Sequence, residues 1–485
     1  MAVDFLRTGS PRRQRPGLDP VSGRSIAILG SVVTVILVPL VLAFPAAIVL
    51  VLAPPVVHLF VRYAIVRLVW FIGGAMLVFQ VGDGLTPEKL IYMVGIVAAS
   101  IISVVRFRTI GGQQWARRFR LSLVGSAVLA GWILLVTSIH SLVVMGIEPT
   151  MWARDALTYL LIAAAVPIAI DAASTTSLRT ARILSIVVGV LAASGFAVVW
   201  IQSRGYGATE GEVERSFLAS LLAVTVPLAL AFALGLAGRR FNLLWVALGC
   251  SLIVAVLITG TRTGFVLVAA LVGVIGAVSK ERVGAVRFVG GAVASIALIA
   301  AAVPIAAAAF SSATDVLARL TGIVATLERG FGQDQSGAMR EWATHRSASI
   351  FQSNPVLGQG LGVFFPNPNP LGVASSFSLD TPMMFPAKFG ILGCIVVVVA
   401  LVLIMYPVIR KTPDTRWLVE STAARGATLV WVALLPLAST TEDKGFAISI
   451  ALIVLLVGAS ARDERNRIMR VEPGGGAAVA IEQET

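Results

Sequence analysis

Apolar residues in this chain come in blocks long enough to cross a bilayer, divided by short gaps rich in arginine and glycine. A membrane-crossing helix takes about 17–25 mostly apolar residues. Blocks of that kind lie at 26–44, 46–61, 64–80, 90–105, 121–139, 156–173, 180–201, 215–236, 241–259, 264–279, 288–309, 384–409, 425–440 and 445–460. The second is interrupted by "APPVV" at 53–57, and its link to the third is very short. The pattern therefore predicts an all-α polytopic membrane protein with 12–14 transmembrane helices. Composition agrees: 57% of the 485 residues are hydrophobic and 13% charged, against about 45–50% and 25% in soluble domains.

The net charge of +13 raises the question of a nucleic-acid partner. Its distribution answers it. With a cytoplasmic N-terminus, alternate gaps such as "RFRTIGGQQWARRFR", "SLRTAR", "SKERVGAVR", "RKTPDTRW" and "RDERNR" fall inside, and about 27 of the 38 Lys and Arg lie there. This is the asymmetry of the positive-inside rule, so the charge sets topology, with no nucleic-acid role. Both termini are expected to be cytoplasmic. The expected divisions are a basic arm at 1–25, an N-terminal bundle at 26–204, a transmembrane core at 205–309, an extracytoplasmic loop at 310–383, C-terminal helices at 384–460 and a disordered cytoplasmic tail at 461–485. The first apolar block is too long for a signal peptide and reads as a signal anchor. Cys250 and Cys394 both sit inside apolar blocks and form neither a disulfide framework nor a metal cluster. No cofactor and no metal are expected.

The gap at 310–383 is far longer than the others, and loops of that size are usually functional. "SSATDVLARLTGIVATLERG" carries apolar residues at helical spacing, and "GAMREWATHRSASIFQSNP" reads as a second helix ending at Asn354-Pro355. Both are expected to lie at the outer membrane surface. "VLGQGLG" then supplies turns, and "FFPNPNPLG" excludes regular structure.

Ionisable residues at the outer edges of the spans are the candidates for chemistry. "ITGTRTG" at 258–264 puts Arg262 between two apolar blocks on the outer side, against the positive-inside trend. Its guanidinium could fork onto a phosphate; the plain alternative is an anchor to lipid headgroups. Thr261 and Thr263 offer hydroxyls beside it. In the long loop stand Arg340, His345 and Arg346, then Asp380 just before the next block and Lys388 within its first turns. Arg215 lies where an earlier outer loop enters a block.

From "GTRTGF" through "MREW…SNPVLGQGLG" to "SLDTPMMFPAKFGILG", roughly residues 205–410, the sequence resembles the O-antigen ligase and O-antigen polymerase superfamily. "NPVLGQGLG" is the most specific of these pieces. The resemblance implies an integral enzyme of the outer face of a bacterial plasma membrane. It would take a glycan from a polyprenyl diphosphate and pass it to an acceptor hydroxyl on a glycan or lipid, without nucleotide sugar or metal. Carried over, Arg262 and Arg340 hold the donor diphosphate, with Arg215 as a looser third match; Arg346, Lys388, Thr261 and Thr263 are additional candidates. Many ligases of the family have a His just before the span that follows the long loop. Here the stretch reads Ser378-Leu379-Asp380-Thr381-Pro382. That leaves Asp380 or His345 as general base, or a reaction in which arginines stabilise the leaving diphosphate and little base help is needed. A transporter or flippase of lipid-linked glycans, which would want charges at mid-depth, and a non-catalytic envelope-assembly protein are the alternative classes.

Overall fold

The computed structural model describes residues 47–78, 86–206, 221–236, 242–258, 271, 335–363, 381–410, 419–434 and 444–471. Among them there is no strand. The helices are α1 (Ala47–Arg62), α2 (Ala64–Val78), α3 (Pro87–Ile110), the short α4 (Gln114–Arg117), α5 (Arg120–Gly131), α6 (Pro149–Thr175), α7 (Leu178–Tyr206), α8 (Leu221–Leu236), α9 (Leu243–Ile258), α10 (Gln335–Ser353), α11 (Met384–Ile409), α12 (Val419–Leu434) and α13 (Lys444–Val471). Contacts divide the chain into two units, Met1–Arg62 and Tyr63–Thr485. In the first unit, α1 runs through Pro54 and Pro55, so "APPVV" does not interrupt the helix. Transmembrane helices tolerate proline where the freed backbone groups find other partners. The expected spans at 26–44, 264–279 (apart from Leu271) and 288–309, and the amphipathic segment at 310–329, lie outside the described residues.

Among the described residues of the second unit, six helices are long and apolar enough to cross a membrane: Pro87–Ile110, Arg120–Val144, Pro149–Thr175, Leu178–Gly195, Met384–Ile409 and Gly445–Asn466. The protein is an all-α multi-pass membrane protein. Burial sorts these spans. The best apolar window of Pro149–Thr175 is 94% buried and that of Gly445–Asn466 is 89%, whereas those of Pro87–Ile110 and Arg120–Val144 reach only 22% and 28%. A helix apolar all round belongs in the middle, and α6 and α13, packed on each other, take that place. α3, α5 and α11 keep one side outward, with Val94, Val124 and Val398 exposed, as lipid-facing residues must be.

The span read at 121–139 is longer in the structure. After Gly131 the helix of α5 widens into two π-helical segments, Trp132–Thr137 and Ile139–Val144. The Met145 N–H donates to the His140 carbonyl five residues back at 2.9 Å. Thr137 Oγ1 bonds back to the Ile133 carbonyl at 2.6 Å, a side-chain bond that competes with the regular ladder. Widened turns of this kind often mark functional sites.

The polar residues gather at two ends. At one, Arg67 pairs with Asp171, which also accepts from Ser103 and lies 3.8 Å from Arg106. Arg182 Nε donates to Glu420 at 2.6 Å, and Arg462 caps the carbonyls of Ala173 and Thr176 that end α6. Arg118 does the same for Pro407 and Arg410 at the end of α11. The opposite end holds residues 140–155, 354–363 and 381–390. α8 and α9 form a hairpin whose turn is closed by Asn242 N–H on the Gly235 carbonyl, so α9 runs back toward the end where α8 starts. There Ser449, near the start of α13, bonds the Leu222 carbonyl.

Candidate functional site

The site at the second end grows from a break in α11. Gly390 sits at φ 62°, ψ −174° inside an otherwise helical run. A continuous helix would bond Ile391 N–H to the Ala387 carbonyl and Leu392 N–H to the Lys388 carbonyl. Instead the loop after α10 supplies both sets of partners. Gln359 and Gly360 N–H donate to the Ala387 and Lys388 carbonyls at 2.8 and 3.0 Å, while Ile391 and Leu392 N–H donate to the Pro355 and Val356 carbonyls at 2.9 and 3.1 Å. The "NPVLGQG" loop is thus spliced into the helix and satisfies these four backbone groups at the break, as non-helical backbone at membrane depth requires. A Cβ on Gly390 would lie 2.2 Å from the Val356 carbonyl oxygen, so only glycine fits the junction.

Side chains of the π-helical segment and of α6 hold the other edge of the loop. Gly358, Gly360 and Gly362 take φ 71°, 90° and 84°, a left-handed path that glycine adopts without strain. Ser141 Oγ accepts from Leu361 N–H at 2.9 Å, His140 Nε2 is 2.9 Å from the Gly358 carbonyl, and Asp155 Oδ2 accepts from Gly362 N–H at 2.8 Å. The other oxygen of Asp155 receives Lys388 Nζ at 2.7 Å, with the two side chains 8% and 0% exposed. One carboxylate thereby joins the loop, α6 and the start of α11. Tyr159 meets Phe389 edge-on with ring centroids 5.0 Å apart. Trp132, Thr137, His140, Leu357, Gly360, Lys388 and Phe389 line a small crevice at this junction.

α10 packs against the N-terminal turn of α11 through Ala343, Met384 and Ala387, with Trp342, Ile350 and Val363 around them. Thr344 and Thr381 share a hydroxyl hydrogen bond of 2.9 Å. This bond ties the residue before His345 to the residue after Asp380. His345 itself is 81% exposed, with Nε2 3.9 Å from Glu341 one turn away, and Arg346 is exposed beside it. The predicted second helix of the loop is therefore present as α10, ending as expected before Asn354-Pro355.

Of the sequence-derived candidates, Lys388 lies in the built site, buried and paired. Arg340 is on α10, with its side chain outside the described residues. Arg215, Thr261, Arg262, Thr263 and Asp380 lie outside the described residues. Among the described residues no three His, Cys, Asp or Glu side chains converge as metal ligands. Asp155, Ser141 and the bonded role of His140 escaped the sequence reading. A signal for Asp155 existed: "MWARDALTYL" places an acid at the threshold of an apolar block.

Residues 247–381 match the family model described as O-antigen ligase. The match supports the resemblance to the O-antigen ligase and polymerase superfamily. It takes in Arg262 with its flanking threonines, Arg340, His345, Arg346, Asp380 and the spliced loop, and it excludes Arg215 and Lys388. The curated proteins contain no match to the chain.

Proposed function

Placing the chain in the O-antigen ligase and polymerase superfamily through residues 247–381, we propose that it transfers a glycan from a polyprenyl diphosphate donor to an acceptor hydroxyl at the outer face of a bacterial plasma membrane. The family match carries the reading, because it spans the candidate arginines and the glycine loop together. Geometry supports it. The loop of the matched segment is fastened at one end of the bundle, and α9, whose last residue Ile258 precedes Arg262 by four positions, runs toward that end. Described arginines crowd the opposite end, which by the positive-inside rule supports assigning that end to the cytoplasmic side.

The acceptor oxygen attacks the anomeric carbon of the donor sugar. The bond from that carbon to the diphosphate oxygen breaks, and the prenyl diphosphate departs with the bonding pair. The hydroxyl proton goes to Asp380 or, with a good leaving group, to water. Arg262 and Arg340 neutralise the charge that develops on the diphosphate, which is where fixed cations lower the barrier most. Asp380 is preferred over His345 as the group that meets the acceptor. The Thr344–Thr381 bond anchors the chain immediately after Asp380 to α10, whereas His345 faces outward. Lys388 acts at one remove, holding the loop through Asp155.

Deleting the gene and analysing surface glycan and lipid-linked intermediates tests this. Accumulated full-length lipid-linked polymer identifies a ligase, and accumulated single repeat units identify a polymerase. Lipid-linked glycan trapped on the cytoplasmic face would favour a flippase instead. Unchanged glycan and intermediates would refute the proposal.

A further inference from the structure

Away from this site, α12 carries a polar stripe into the bundle. Glu420, Ser421, Thr422, Arg425 and Thr428 are all buried. Most of them are accounted for. Glu420 is paired with Arg182 and accepts from Ser460 at 3.2 Å, and Thr428 bonds the Ala424 carbonyl at 2.8 Å. Two are not. Arg425 is 5% exposed, and its Nε and Nη2 have no hydrogen-bond partner among the described residues; the buried Ser421 Oγ, 1% exposed as a residue, has none either. Residues four apart share a helix face, so the two orphaned groups are neighbours.

An unpaired buried guanidinium is among the most costly features a membrane protein can retain. A guanidinium beside a hydroxyl donor matches the oxygens of a phosphate group. The surroundings add what kind of phosphate. α12 starts at the arginine-rich end, where Glu420 is clamped, and Arg425 lies about 7.5 Å deeper by helical rise. Helical side chains lean toward the N-terminus, so Arg425 leans back toward Ser421 and that end. One and two turns deeper on the same stripe, Leu429 and Val432 are 45% and 57% exposed. A lipid whose phosphate sits at Arg425 would lay its acyl chains along Leu429 and Val432 toward the bilayer centre.

We propose that Arg425 and Ser421 form a phosphate-binding site at the arginine-rich end of the bundle, separate from the spliced-loop site. The phosphate belongs to an anionic lipid headgroup or is free phosphate, with the Leu429–Val432 stripe favouring the lipid. This inference does not rest on the proposed glycan transfer.

The test uses the full-length protein, purified and delipidated in a neutral detergent. Thermal unfolding is followed while either inorganic phosphate or phosphatidylglycerol is titrated, with zwitterionic phosphatidylcholine as the control. The wild type is expected to be stabilised by phosphatidylglycerol more than by phosphatidylcholine. Stabilisation by inorganic phosphate as well would assign the site to free phosphate. Arg425→Gln should abolish the anion-specific shift while melting no lower than the wild type without added anion, because it removes an uncompensated charge. Ser421→Ala, which leaves the charge in place, should weaken half-saturation roughly tenfold, the loss of one charge-assisted hydrogen bond. It serves as the readout if Arg425→Gln does not fold. An anion-specific shift in Arg425→Gln equal to that of the wild type, or no anion-specific shift in the wild type, overturns the proposal. So does unaltered half-saturation in Ser421→Ala.

Discussion

Removing one member of the Lys388–Asp155 pair should loosen the spliced loop far more than removing both. Lys388 Nζ and Asp155 Oδ1 are 2.7 Å apart with the side chains 0% and 8% exposed. Lys388→Met leaves Asp155 charged and buried, a situation that costs about 3–5 kcal/mol. Asp155→Leu leaves Lys388 in the same position and also strips the acceptor from Gly362 N–H, adding about 1–3 kcal/mol for an unsatisfied buried donor. The double variant retains only the second penalty and some repacking, so its loss should fall short of the sum of the single losses by more than ~2 kcal/mol. Interaction energies between contacting residues run up to about 3 kcal/mol, and a buried charge pair belongs at the top of that range. Unfolding in mixed micelles with increasing SDS, read by tryptophan fluorescence, gives the three free-energy differences. Losses that simply add would mean that the pair is not coupled and that Asp155 does not hold the loop through Lys388.

Other consequences are narrower. Gly360→Ala places a Cβ 2.4 Å from Ser141 Oγ at φ 90°; it should cost about 1–3 kcal/mol in backbone strain alone and lower glycan transfer, as measured by unfolding and transfer assays on the same preparation. Asp380→Asn should reduce transfer substantially, while His345→Gln, on the outer side of α10, should reduce it less across pH 5.5–8.5, a range set to bracket the ordinary histidine pKa of about 6.5; the reverse ranking would make His345 the base. A cysteine introduced at position 335 should be labelled from outside intact cells, and one at position 112, in the arginine-rich gap after α3, only after permeabilisation. The opposite pattern would place the proposed chemistry on the wrong face.

Block length and arginine distribution predict the spans well because the membrane imposes them one helix at a time. The blocks at 90–105 and 156–173 each recur as one helix and that at 384–409 as a helix broken at Gly390, and the turn at Asn354-Pro355 ends α10 for the local reason that proline disfavours the α region for the residue before it. The break at Gly390 was not legible. "AKFGILG" reads as an ordinary apolar run, and the break exists only because residues 355–360, distant in sequence, supply the missing hydrogen bonds. The π-helical turns after Gly131 were equally hidden, since "WILLVTSIHSLVV" has no composition that separates them from α-helix. Asp155 shows the limit most directly. A single acid at a span threshold suggests function, but its two partners, Lys388 and the Gly362 amide, follow from tertiary structure alone. The arginine at 262 and the acid at 380 were found by motif, and the family match, not the packing, is what links them.

Residues 247–381, which match the O-antigen ligase family, are proposed to form the core of a glycan-transferring enzyme that engages a diphosphate through the guanidinium of Arg262. The most direct measurement uses purified protein in vesicles, a polyprenyl diphosphate-linked glycan and an acceptor, with released prenyl diphosphate and glycosylated acceptor quantified together. The wild type should produce the two in equal amounts. Arg262→Lys, which keeps the charge but loses the planar fork, should insert normally and lose most of that turnover, whereas Arg346→Lys should stay near the wild type. Undiminished coupled transfer by Arg262→Lys would rule out a diphosphate-holding role for that guanidinium, and no coupled release from the wild type would rule out the transfer itself.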